Sequence, residues 1–243
     1  MYYLCITGPG EFLEREELKK LAAEKAVEQI KEGMIVGLGT GSTVNYTLKK
    51  LGDLVKNGLK IQAIPTSIKT KRIAQKEGIP IITLDENPEI DITIDGADEV
   101  DSSLNLIKGG GGALTREKII AYNSKKVVII VDDSKIVKAL GIDFPLPVEV
   151  IKFGWTSTKK SLESFGCEVT RREIIQGEPF ITDNGNYILD CDFEYIHNPE
   201  QLEKDIKNIP GVVENGLFIN LAHQIIVGGK QGIVTLDKEK TVV

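Results

Sequence analysis

Apolar residues in this chain fall into short runs whose period keeps switching between that of a helix and that of a strand. Leu18, Ala22, Ala26 and Ile30 recur at four-residue spacing with Leu21 beside them, which predicts an amphipathic helix over 14–31 that Gly33 ends. A short apolar strand follows over 34–38, then Gly39-Thr-Gly-Ser-Thr43, then a helix to about residue 51. The alternation continues with a strand at 60–64, a helix at 67–77, and strands at 79–83, 91–94 and 105–107. A helix at 113–123, a strand at 127–131 and a short helix near Lys135 complete it. Strands apolar on both faces, interleaved with helices, predict a parallel sheet covered by helices.

The rhythm changes at Phe144-Pro-Leu-Pro147, where two prolines mark a crossing between units. The next stretch reads strand (148–151), helix (156–165), strand (168–172), then a pair of strands around Asp183-Asn-Gly-Asn186, because Asn-Gly between extended runs signals a hairpin. A helix at 199–208 and a strand at 216–219 complete a β-α-β-β-α-β pattern of the ferredoxin type. Two final strands, 224–229 and 232–236, are free to return to the first sheet. The expected fold class is α/β: a Rossmann-like parallel-sheet domain (13–146 with 222–243) and a smaller α+β, ferredoxin-like domain (147–221), after an N-terminal extension over 1–12.

Charge and composition narrow the function. A net charge of −6 argues against a nucleic-acid surface but leaves room for a local basic pocket. No apolar run approaches the ~20 residues that span a bilayer, and the opening residues lack the basic start of a signal peptide. Cys5, Cys167 and Cys191 form no C-x-x-C pair, which fits a reducing compartment, so a cytoplasmic protein is expected. His197 and His223, the two histidines, read as structural; any catalysis falls to carboxylates and lysines.

Candidate chemistry concentrates in the loops after strands, where open α/β sheets bind ligands. Gly37-Leu-Gly-Thr-Gly-Ser-Thr43 reads as an anion cradle, with glycines for close backbone approach, or as an ordinary tight turn with a helix cap. It is not a dinucleotide fingerprint, since Ser42 stands where the third glycine belongs and no acidic residue follows the next strand; no Gly-Lys-Ser/Thr follows either. Ile94-Asp-Gly-Ala-Asp-Glu99 could bind a metal, work as acid and base, hold sugar hydroxyls, or be a solvated turn. The glycine run at 109–112 carries an entropic cost of up to ~1 kcal/mol per residue relative to alanine, which suits backbone amides lying against a ligand. Lys108 offers a cation before it, and Glu117 a carboxylate in the next helix's first turns, where a dipole role would also suffice. Lys135 in Val131-Asp-Asp-Ser-Lys135 could meet a phosphate or lie in solvent.

In combination these motifs resemble the A-type ribose-5-phosphate isomerase family. Gly39-Thr-Gly-Ser-Thr43, Asp95-Gly-Ala-Asp-Glu99 and Lys108 through Glu117 carry most of the likeness. Phe144-Pro-Leu-Pro-Val-Glu149, Thr182-Asp-Asn-Gly-Asn186 and Ile209-Pro-Gly-Val-Val213 extend it, so that it runs from about Leu18 to Leu236. The resemblance implies an aldose–ketose isomerase of the non-oxidative pentose phosphate pathway that needs no metal or organic cofactor. It implies ribose 5-phosphate and ribulose 5-phosphate as partners, no nucleic acid or membrane, and a homodimer or homotetramer.

By position, the resemblance makes Thr40, Gly41, Ser42 and Thr43 one substrate loop, and Asp95, Gly96, Ala97 and Asp98 a second. Lys108, Gly109, Gly110 and Gly111 form the third, with Glu117 the proton-transferring base. Lys135 and Lys19 then contact the phosphate end. Gly112 stands where some members carry alanine, and Thr66-Ser-Ile-Lys-Thr70 departs from a serine-rich form. Expected catalytic residues are Glu117, Asp95 and Lys108, with Lys108 and the glycine-loop amides stabilising an oxyanion and Asp95 assisting ring opening or O1/O2 proton movement. Rival readings are a sugar-phosphate sensor without turnover, a metal-dependent phosphatase using Asp95, Asp98 and Glu99, and a deaminase or coenzyme A transferase on a related fold.

Overall fold

The computed structural model describes residues 15–230 and 232–238; the expected extension over 1–12, with Cys5, lies outside them, as do residues 239–243. The chain runs α1 (Arg15–Val27), β1 (Ile35–Leu38), α2 (Ser42–Lys56), β2 (Gln62–Pro65), α3 (Ile68–Lys76) and β3 (Ile92–Asp95). Two short strands, β4 (Glu99–Val100) and β5 (Leu106–Ile107), precede α4 (Leu114–Tyr122), β6 (Val127–Asp132) and a 3-10 turn at Asp133–Lys135. Then come β7 (Leu146–Val150), α5 (Trp155–Glu163), β8 (Glu168–Arg171), β9 (Glu173–Ile175), β10 (Glu178–Pro179), β11 (Tyr187–Asp192) and α6 (Pro199–Lys207). The chain ends with β12 (Val212–Asn215), β13 (Leu217–Phe218), β14 (Gln224–Gly229) and β15 (Gly232–Asp237).

The main sheet has the order β15-β14-β6-β3-β1-β2, parallel throughout except for the antiparallel pair β14–β15. Every residue of β3 and β6 is buried, so both faces of the sheet centre are covered and the β-branched run from Val127 to Val131 fills two layers at once. α1 turns Leu18, Ala22, Ala23 and Ala26 inward, joining a core that includes Val36, Leu38, Ile94, Val128 and Ile130. From β1 the chain goes to β2 on one side, while β3 pairs on the other. The crevice beyond Leu38 and Asp95 is therefore the topological switch point, where ligands of open α/β sheets bind.

A second sheet, β12-β7-β11-β8, is antiparallel and carries α5 and α6, which is the split β-α-β-β-α-β arrangement. Its core gathers Leu146, Val148, Val150, Leu162, Leu189 and Ile206.

Four expectations change. Leu106–Ile107 does not join the parallel sheet; both its edges are taken by antiparallel pairing with β4 and β13 in a separate three-stranded sheet. The last strand of the split unit is Val212–Asn215, and the expected 216–219 strand serves that small sheet instead. Residues 79–83 make only an isolated bridge, Ile81 to Ala63, because Pro80 has no N–H to extend the ladder. The hairpin turns at Gln176-Gly177, between β9 and β10. Asn184-Gly185 instead sits in a turn closed by Thr182 and Asn186, whose side chains reach for Glu149.

Candidate active site

A cavity of about 260 Å³ lies at the switch point. Its wall includes Lys19, Thr40, Gly41, Ser42, Thr43, Gly96, Ala97, Asp98, Lys108, Gly109, Gly110, Gly111, Glu117 and Lys135, together with Arg15 and Asp132. Five segments far apart in sequence meet here: the start of α1, the loops after β1, β3 and β6 of the main sheet, and the stretch from β5 of the small sheet into α4.

Lys108 and Glu117 belong to a buried ion cluster that the wall shares with Asp95 behind it. Lys108 follows β5 and is 2% exposed; its Nζ lies 3.1 Å from Asp95 Oδ2, 3.4 Å from Glu117 Oε1, and donates to the Gly96 carbonyl at 2.5 Å. Burial alone would push the Lys108 ammonium down, but Asp95, Glu117 and Asp98 outweigh it and hold its pKa above the ordinary lysine value. Glu117, in the first turn of α4, is 4% exposed. Burial raises its carboxyl to about 8; Lys108 opposes the rise, and Asp95 and Asp98 add to it. Its Oε2 is buried without a hydrogen-bond partner, an expensive condition for a carboxylate unless a reaction uses it.

Asp95, expected among the catalytic and substrate-contacting residues, stands behind the cavity wall. It is 2% exposed and does not line the cavity; Oδ1 accepts the Gly96 and Thr40 N–H groups at 2.7 and 3.1 Å, and Oδ2 faces Lys108. Burial raises its pKa, against the opposing pull of Lys108. Gly39 permits this packing: a Cβ there would stand 2.0 Å from Asp95 Oδ1.

The loops are more self-engaged than their composition suggests. Thr40 Oγ1 lies 2.8 Å from Thr66 Oγ1 and Ser67 Oγ and 3.0 Å from Thr70 Oγ1, so Thr66-Ser-Ile-Lys-Thr70 braces Thr40 and does not itself line the cavity. In the glycine run, Gly110 N–H donates to Asp98 Oδ2 at 2.7 Å and Gly112 N–H closes onto the Gly109 carbonyl at 2.9 Å. Two of the expected oxyanion-facing amides are thus already engaged. Gly112 has φ +73 and Phe180 within 2.4 Å of any added Cβ, so an alanine here would be strained and would have to displace the Phe180 ring.

The cations stand opposite. Lys19, half-buried on α1, is 2.6 Å from Glu16, and Lys135 closes the 3-10 turn after β6. Between them α2 begins at Ser42 behind Gly41, which supplies no side-chain cap, so its first N–H groups face the same end. Arg15 was not singled out from the sequence; it bonds Asp132 at 3.2 Å and Ser134 at 2.7 Å, an arrangement no spacing rule foretells.

Asp95, Asp98 and Glu99 do not converge. Glu99 points away, accepting the Gly141 and Asp143 N–H groups at 2.6 and 2.7 Å, and among the described residues no cluster of three His, Cys, Asp or Glu could hold a metal ion. His223 accepts the Val127 N–H at 3.1 Å and His197 packs against Tyr195 with the rings tilted at 58°; neither lines the cavity. Among the described residues no helix is long and apolar enough to cross a membrane.

The model of the ribose 5-phosphate isomerase A (phosphoriboisomerase A) family matches residues 62–232. The chain belongs to the ribose 5-phosphate isomerase A family. The family's ribose-5-phosphate isomerase A of Bacillus mycoides is 53% identical over 217 residues, 89% of this chain and 97% of that protein. A family structure, a D-ribose-5-phosphate isomerase in complex with phospho-erythronic acid, superposes with TM-score 0.90 at 42% identity, covering 93% of this chain and all of that one. The ribose 5-phosphate isomerase A of Methanocaldococcus jannaschii gives TM-score 0.88 at 45% identity, with coverage of 93% and 100%.

Proposed function

We propose that this protein interconverts D-ribose 5-phosphate and D-ribulose 5-phosphate through an enediolate, within the non-oxidative pentose phosphate pathway. The observation that carries the reading is Glu117: a buried carboxyl beside Lys108 on the cavity wall, one oxygen unpartnered, raised to about 8. A base poised near neutral pH is what moving a proton between adjacent carbons requires.

In this reading Glu117 takes the C2 proton of the open-chain aldose and returns it to C1, while the hydroxyl proton passes from O2 to O1. Lys108 stabilises the oxyanion that develops, drawing on a low-dielectric setting in which a fixed cation is strongest. Asp95 acts through Lys108, holding its ammonium in place, instead of touching the sugar. The phosphate sits among Lys19, Lys135, Ser42, Thr43 and the start of α2. A relative's complex with phospho-erythronic acid, a phosphorylated polyhydroxy acid, supports a ligand of this size and charge. Residues 147–221 form the smaller unit that backs the glycine loop, and a homodimer or homotetramer is the expected assembly.

The test is ribulose 5-phosphate formation from ribose 5-phosphate, with and without chelator, beside Glu117→Gln. Chelation is expected to leave turnover unchanged, and the variant to lose ~10²-fold or more in kcat with substrate binding spared. Wild-type turnover by the variant overturns the assignment.

A further inference from the structure

Glu149 on β7 is a carboxylate outside the cavity, at 0% exposure. Its Oε1 accepts from Thr182 Oγ1 at 2.8 Å, Asn186 Nδ2 at 2.8 Å and Asn184 Nδ2 at 3.1 Å. Its Oε2 accepts from the hydroxyl of Thr115, in the first turn of α4 two residues before Glu117. Every side chain facing it can donate, which is what a carboxylate asks of its neighbours. The next residue of the helix, Arg116, is gripped by the same loop: Nε donates to Asn184 Oδ1 at 2.8 Å and Nη2 to the Asp183 carbonyl at 2.9 Å. The helix's own cap position, Ala113, makes no side-chain cap. The turn that carries Glu117 is therefore fixed from outside, by the second sheet.

We infer that Glu149 is a positioning residue for the reaction: through Thr115 it sets the rotation and height of the first turn of α4, and so where the Glu117 carboxylate stands over the cavity. The inference rests on the reading of Glu117 as the base. Stability alone does not explain a carboxylate here, because an apolar side chain of similar volume commonly serves a buried site as well or better. An apolar contact is non-directional, whereas a hydroxyl held on a carboxylate fixes an angle. Proton transfer demands such control, since a displacement of about 1 Å at a reacting group can cost ~10²-fold in rate. The same loop reaches the opposite wall: Asp183 Oδ2 accepts the Ile68 N–H at 2.7 Å, at the start of α3, whose Ser67 and Thr70 brace Thr40.

The experiment compares Thr115→Val, Thr115→Ser, Glu149→Gln, Glu117→Gln and the double variant Thr115→Val/Glu117→Gln by steady-state kinetics and thermal unfolding. Thr115→Val, which keeps the side chain's shape at a half-buried position, is expected to lose about tenfold in kcat with KM within about twofold. Thr115→Ser, which restores the hydroxyl, is expected to recover kcat to within about threefold. Glu149→Gln should follow Thr115→Val, and should it not fold, the threonine variants carry the test. Because the effect runs through Glu117, the double variant should be no slower than Glu117→Gln alone. A folded Thr115→Val with wild-type kcat, or a double variant whose losses multiply, overturns the positioning role. If Glu117→Gln itself turns over at the wild-type rate, it is the base assignment that fails.

Discussion

Replacing Glu117 by Gln should weaken the enzyme and strengthen the fold, by an amount that depends on pH. Below 4.5 the carboxyl is neutral both folded and unfolded, and burying it costs little extra. Between 4.5 and about 8 the unfolded chain releases a proton that the folded one retains, so stability falls as pH rises; above about 8 the loss is complete. At about 1.36 kcal/mol per unit, a rise from 4.5 to about 8 amounts to roughly 5 kcal/mol against the native state. The amide of Gln carries no such slope, and the value of about 8 already includes the attraction of Lys108. With about 2–4 °C per kcal/mol for a chain of this size, the variant should melt ~5 °C or more above the wild type at pH 8.5 and within about two degrees of it at pH 5. Calorimetric melting at pH 5, 6.5 and 8.5 reads this directly. A difference that does not grow with pH, or a variant less stable throughout, refutes the claim that Glu117 is held protonated by burial.

Three further outcomes follow from the same cluster. Lys108→Met leaves Asp95 and Glu117 facing each other without their cation; it should cost about 3–5 kcal/mol in denaturant unfolding and ~10²-fold in kcat, and an unchanged midpoint contradicts the pairing. The wild-type kcat/KM should rise with pH and level off above about 8, because the base acts ionised and burial holds it protonated below that value; a plateau already at pH 6 contradicts it. Gly39→Ala drives a Cβ to within 2.0 Å of Asp95 Oδ1 and should cost about 1–3 kcal/mol, as overpacked sites do, measurable as a lowered urea midpoint.

How much of this was legible in the sequence depends on how local the signal is. The parallel sheet was, because strands such as Val127–Asp132 are buried on both faces and announce it by composition alone. The loops at the switch point were, because Gly39, Asp95, Lys108 and Lys135 each follow an apolar run and the fold gathers strand ends. Asp95's retreat beneath Lys108 was not, since adjacency to a strand does not say whether a side chain points to ligand or to a neighbouring cation. The four glycines suggested amides turned to a ligand, yet Gly110 answers Asp98 and Gly112 makes way for Phe180, partners fixed only by tertiary packing. Asn184-Gly185 has hairpin chemistry, but Glu149, far back in the chain, draws Thr182, Asn184 and Asn186 onto itself and the hairpin forms at Gln176-Gly177 instead. Arg15 was silent, and Glu149 showed only as the end of a motif with no role attached, for the same reason: their meaning lies in a partner more than thirty residues away.

The central claim, that Glu117 carries a proton between two carbons of a pentose phosphate, is tested most directly by isotope exchange in heavy water. Ribose 5-phosphate incubated with the wild-type protein in D₂O should acquire solvent deuterium at the transferred position, read by mass spectrometry or NMR. Glu117→Gln, still binding the sugar phosphate, should leave that carbon protonated over the same interval. Exchange by the variant at the wild-type rate would contradict the account.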